Sequence, residues 1–178
     1  MRVQNQIFAS VLLITATTVA AGASTLPDTN ETTLMTATVS EQAQVSVPSG
    51  VTCAVGDVTS TTAANAASVS ASNIVLASAS KQLKVSVQAS AASFTPPVEG
   101  ATTWVAGDVS WNDPSWTNAT GAEGTLSDSS YVAVATCTAD SADCSTDGLV
   151  FTLGSKPAVK RSGNHTLSVT WKFESIGA

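Results

Sequence analysis

Three tryptophans, Trp104, Trp111 and Trp116, stand close together in a stretch rich in Gly, Asp, Asn and Pro. Indole rings on loops or sheet faces stack against sugar rings, and large exposed apolar surface usually marks a binding site. The three form the candidate ligand-binding set, with a surface glycan as the partner. A competing reading makes Trp104 and Trp111 core plugs on edge strands and Trp116 the cap of a loop. A second constellation is Asp140, Asp143 and Asp147, whose loop carboxylates are the hard oxygen donors calcium favours. Their spacing departs from the twelve-residue calcium loop, so the trio stands as a calcium candidate and no metal set is assigned.

Cys137 and Cys144 bracket a short acidic turn, a spacing that in an exported chain reads as a disulfide closing a hairpin loop. They lack the two-residue spacing of a redox pair, and no histidine lies near enough in sequence to complete a zinc set. Cys53 keeps step with Val51 and Val55, which points its side chain at the core. It reads as a free thiol, with pairing to Cys137 or Cys144 as the alternative.

No residues nominate a catalytic site. His165 is the only histidine, it follows Asn164 at the entrance to the last apolar run, and nothing resembles a nucleophile elbow. Most acids, including Asp57, Asp108, Asp113, Asp128 and Asp147, fall beside turn formers, where Asp serves local hydrogen bonds. Asn-x-Thr triplets at Asn30, Asn118 and Asn164 are what chance gives in a chain this rich in Ser and Thr. The expected protein is not an enzyme and needs no cofactor.

The elements that must position these residues are strands. Leu167, Val169, Trp171 and Phe173 alternate with Ser168, Thr170 and Lys172, as Leu83, Val85 and Val87 do with Lys84, Ser86 and Gln88. Leu149, Phe151 and Leu153 repeat the pattern. Weaker runs cover 35–39, 43–47, 51–55, 68–77, 102–106 and 131–136, and a single helical turn is expected over 61–67. Pro48-Ser49-Gly50, Gly56-Asp57, Pro96-Pro97, Gly107-Asp108, Asp113-Pro114 and Asp147-Gly148 punctuate them. Short strands between such turns predict an all-β fold, an immunoglobulin-like or jelly-roll-like antiparallel sandwich. An outer-membrane barrel would carry aromatic girdles, which these aromatics are too few to build.

At the N-terminus, Arg2 precedes an apolar run over 7–23 that closes on Ala21, Gly22 and Ala23, the order of a secretion signal cut after Ala23. Ser10, Thr15, Thr17 and Thr18 dilute it below a spanning helix of roughly 20 apolar residues. The expected organisation is a signal peptide at 1–23, a flexible polar segment at 24–33 and one sandwich domain at 34–178. The mature chain is expected to be secreted or at the cell surface, without a membrane span. A net charge of -6 repels phosphate backbones, so nucleic acid is not an expected partner.

The run Thr36-Ala37-Thr38-Val39 leading to Val51-Thr52-Cys53-Ala54-Val55, with the closing Leu167-Ser168-Val169-Thr170-Trp171-Lys172-Phe173, resembles the opening and closing strands of secreted pilin-like and spore-coat-like bacterial surface proteins. That resemblance implies an immunoglobulin-like sandwich, sometimes completed by a strand lent by a neighbour. Residues 33–39 would then be the donor strand and a second copy the partner. The ending Glu174-Ser175-Ile176-Gly177-Ala178 lacks the near-terminal aromatic of chaperone-assembled pilins. The reading that follows is a structural or adhesive surface subunit, with a carbohydrate-binding module as the alternative.

Overall fold

The computed structural model describes residues 33–177. The expected signal at 1–23 and, apart from Thr33, the expected polar segment at 24–33 lie outside the described residues. In chain order the strands are β1 (Gln42–Ser46), β2 (Thr62–Ala63), β3 (Ala67–Val75), β4 (Gln82–Ala89), β5 (Val109–Trp111) and β6 (Ala119–Gly121). They continue as β7 (Gly124–Thr125), β8 (Val132–Cys137), β9 (Cys144–Leu149), β10 (Phe151–Leu153) and β11 (Val169–Ile176). One 3-10 turn, Ala106–Asp108, precedes β5.

Among the described residues every strand pairing is antiparallel, in three sheets ordered β1-β3-β9, β2-β10-β5-β7 and β11-β4-β8-β6. The first two sheets form one layer, because β9 runs into β10 through Val150 while β3 and β2 lie along the same flank. Where the pairing breaks, the Asn112 carboxamide substitutes for a strand partner. Its Nδ2 donates to the Gly148 carbonyl at 3.1 Å and its Oδ1 accepts from the Val150 amide at 2.7 Å. The third sheet is the opposing layer, and the protein is an all-β sandwich.

The alternation explains the layers. Leu83, Val85, Val87 and Ala89 of β4 face Val69, Ala71 and Leu149 of the other layer, with Val134, Cys137, Cys144, Trp111 and Phe151 filling the space between. Each fully buried Val or Leu contributes roughly 1.5–3 kcal/mol, so these small residues suffice for a core. Gly124 is dictated by that packing: a Cβ there would stand 2.4 Å from Cζ2 of Trp111.

A second, smaller cluster forms where β10 ends. Trp104, Leu153 and Val159 are buried there, and Cys53, Val55, Val58 and Phe94 pack on them. Its loops are tied by single bridges, Ser93 with Val105 and Thr95 with Thr166. Residues 51–55 and 102–106, expected as strands, are therefore loops that cap this cluster, apart from the Val105 bridge and Ala106, which opens the 3-10 turn. The helical turn expected over 61–67 is also absent, since Thr62 pairs with Leu153 and the Ala64 amide donates to the Phe151 carbonyl at 2.8 Å. Sheet pairing there overrides the helix preference of alanine, because tertiary pairing outweighs local propensity.

Candidate functional site

The three tryptophans do not form a shared exposed surface. Trp104 is 4 % exposed and Trp111 3 %. Their indole N–H groups donate to the Gly154 and Ala122 carbonyls at 2.8 and 2.9 Å. Trp104 meets the His165 ring edge-on at 5.1 Å, and Trp111 tilts against Phe151 at 6.1 Å. Neither has a ring face left for a sugar. Trp104 fills the core from a loop and Trp111 from β5, so the plug reading fits both in burial, though Trp104 is not on a strand. Trp116 alone is half-exposed. Its edge carrying Cδ1 and Nε1 lies over Gly121, where a Cβ would come within 2.8 Å of Cδ1.

The acidic trio does not converge. Asp140, at a φ of 57°, borders a depression beside Ile74 and Leu76, while Asp147 borders a different one beside Trp116. Asp143 accepts a hydrogen bond from Nδ2 of Asn118 at 2.8 Å. Among the described residues no group of three His, Cys, Asp or Glu side chains is placed to hold a metal ion. The three carboxylates therefore do not come together as the ligand set that the calcium candidate requires.

Cys137 and Cys144 are joined, with Cα atoms 5.8 Å apart, and both are buried. The bond does not close a hairpin. β8 and β9 belong to opposite layers, so residues 138–143 form an arch and the disulfide staples one layer to the other. Cys53 is free and half-buried, and burial pushes its thiol above the usual cysteine range despite a hydrogen bond with the Leu153 backbone.

The end of the sandwich that carries this arch also launches the N-terminal arm. Residues 33–40 have no strand pairing and are fully on the surface, with Leu34 77 %, Met35 89 % and Val39 66 % exposed. The strand expected over 35–39 is thus unpaired within its own chain. Glu41 anchors the arm where it meets β1. Its Oε1 accepts from the Ala77 amide at 2.7 Å, from the Ser175 hydroxyl at 3.2 Å and from Lys81 Nζ at 3.4 Å. These contacts, the Ala77 amide first, hold the Glu41 carboxyl below the ordinary glutamate value. Sequence reading missed this role; the signal available was a lone carboxylate between two apolar runs.

β11 is the long edge of the opposing layer, paired with β4 from Val169 to Ile176 and, among the described residues, with no strand on its other side. Trp171 and Phe173 pack on the core yet remain half-exposed, with Trp171 edge-on to Phe151 at 6.5 Å. On the outer face Lys172 pairs with Glu174 and lies over the Tyr131 ring, and Lys84 reaches Glu174 at 3.6 Å. Elsewhere, Asp108 takes Lys156 Nζ at 2.6 Å and the Val105 amide at 2.8 Å, fixing the turn before β5. His165 is engaged at both ring nitrogens, Nδ1 with Thr103 Oγ1 at 2.7 Å and Nε2 with the Arg161 carbonyl at 3.2 Å. The carbonyl can only accept, which assigns the proton to Nε2.

Compared with protein-family models, curated proteins and solved structures, the chain finds no match. Among the described residues no helix is long and apolar enough to cross a membrane.

Proposed function

We propose that the protein is a non-enzymatic, exported structural or adhesive surface subunit that assembles by lending residues 33–40 to a second copy of itself. The observation carrying this reading is the arm: an uncharged segment without strand pairing, with Leu34, Met35 and Val39 in water. An extended strand with unpaired amides and carbonyls is a template for pairing with another chain. Met35, Ala37 and Val39 share one face by the period of two. Burying a large apolar side chain is worth roughly 1.5–3 kcal/mol, so the arm has a strong drive to be covered.

The opposing partner surface is β11, whose 8 residues match the length of the arm and whose Trp171 and Phe173 are incompletely covered. The resemblance to pilin-like and spore-coat-like surface proteins points the same way. A buried disulfide supports an oxidising compartment and hence export. The only histidine has both nitrogens committed to structural hydrogen bonds, which favours a scaffold over an enzyme. Deleting residues 33–40 from the full chain is expected to abolish assemblies on native gels while secreted monomer persists. Unchanged assemblies would reject the reading.

A further inference from the structure

The outward face of the first layer carries a trough unrelated to the arm. β3 and β9 slip out of register between Ala67 and Val69, and on the other flank of β9 a lone bridge from Thr117 to Ser145 attaches residues 115–117. Between these two irregular junctions the sheet sinks into a depression of about 480 Å³. Small-molecule sites are roughly 300–1,000 Å³, and register irregularities of this kind recur beside functional sites.

The lining defines the chemistry. Ser46, Ser70, Ser145 and Thr117 fall in one cross-strand row, Ser46 opposite Ser70, Ser70 opposite Ser145 and Ser145 opposite Thr117. Adjacent strands lie about 4.8 Å apart, so the row offers donor-acceptor groups at that interval. Of these, Ser70, Ser145 and Thr117 line the depression together with the half-exposed Trp116 and the exposed Asp147. Trp116 is held in place by its contact with Gly121, and Thr146 beneath the row donates to the Ser115 carbonyl at 2.8 Å, which fixes the wall.

Among the described residues no Lys, Arg or His lines the trough, so phosphate, sulfate and uronate groups find no counter-charge there. Asp147 is its single carboxylate, too few for a cation site, and Val69 and Trp116 are too little apolar surface for a lipid chain. What remains is a neutral ligand dense in hydroxyls. We infer that this trough is a binding site for a sugar unit of a neutral polysaccharide. Asp147 accepts hydrogen bonds from sugar hydroxyls, as a carboxylate does more strongly than a neutral acceptor. Ser70, Ser145 and Thr117 donate and accept in turn, and the exposed part of Trp116 covers an apolar C–H patch of the ring. This assignment shares only Trp116 with the tryptophan set read from the sequence, and it is independent of self-assembly.

The test is retention of the secreted full chain on insoluble neutral β-glucan and α-glucan, with polygalacturonate as the anionic control. Wild type is expected to be retained on a neutral glucan and not on polygalacturonate. Asp147→Ala and Ser145→Lys, which fills the trough, should each weaken retention at least tenfold, with circular dichroism melts showing that both fold. Asp128→Ala, on a distant turn, and deletion of residues 33–40 should leave it unchanged. Passage of wild type through both neutral glucans, preference for the polyuronate, or full retention of both trough variants would each overturn the assignment.

Discussion

Replacing both Cys137 and Cys144 by alanine removes the staple between the layers, and its effect follows from the geometry. The bond closes a ring with a sequence separation of 7, and the chain-entropy relation gives about 2.5 kcal/mol for a ring that small. Both sulfurs are buried, so each leaves a methyl-sized void worth about 1 kcal/mol. The expected loss is therefore about 4–5 kcal/mol. At roughly 2–4 °C per kcal/mol for chains near this size, the midpoint of thermal unfolding should fall by about 10–15 °C, read by circular dichroism. Reduced wild-type protein keeps its sulfurs and should lose only the entropic part, about half of that shift. A double variant melting within about 2 °C of wild type would refute the claim that the arch over 138–143 is held by this bond rather than by the surrounding packing.

Gly124→Ala should cost about 1–3 kcal/mol in urea unfolding, because the new methyl meets the Trp111 ring; an unchanged midpoint would show that the indole moves freely. Ser86 is fully buried in β4 and its Oγ has no hydrogen-bond partner. Ser86→Ala should then raise stability by about 1 kcal/mol, and a clear decrease would mean the hydroxyl is satisfied in solution. Glu41 has a folded-state pKa lowered from 4.5, chiefly by the Ala77 amide. A depressed carboxyl contributes stability above the unfolded value and loses it as pH falls through the folded one. Glu41→Gln should lower the melting temperature at pH 7, and the gap to wild type should close on acidification well below pH 4.5. A gap that widens in acid contradicts this sign.

Much of the fold was legible because period-two alternation is a local signal. Leu83, Val85 and Val87 announced β4, and Leu149, Phe151 and Leu153 announced β10, since each run has one face in the core, whereas β9 was hidden because Asp147-Gly148, which reads as a turn, lies inside it. What failed was local in another sense. The 51–55 run has the composition of a strand, but whether it pairs depends on a partner edge that sequence does not display. β6 and β7 were missed because Ala119–Gly121 and Gly124–Thr125 carry almost no hydrophobic pattern and exist only through pairing with β8 and β5. Of the two readings open for the tryptophans, the plug reading fits the burial of Trp104 and Trp111. Burial of Trp104 and Trp111 is set by contacts with Gly154 and Ala122, remote in register from the Gly- and Asp-rich context that made them look exposed. The serine row was invisible for a related reason: Ser46, Ser70 and Ser145 become neighbours only once three strands align.

The central claim is that residues 33–40 are free in the monomer and covered in the assembly. Hydrogen exchange read by mass spectrometry on both forms tests it directly, since exposed unpaired amides exchange quickly and strand-paired ones are protected. Amides over 33–40 should exchange at once in isolated monomer and slow at least a hundredfold in assembled material, with β11 gaining protection alongside them. Equal exchange of this segment in both forms would contradict it.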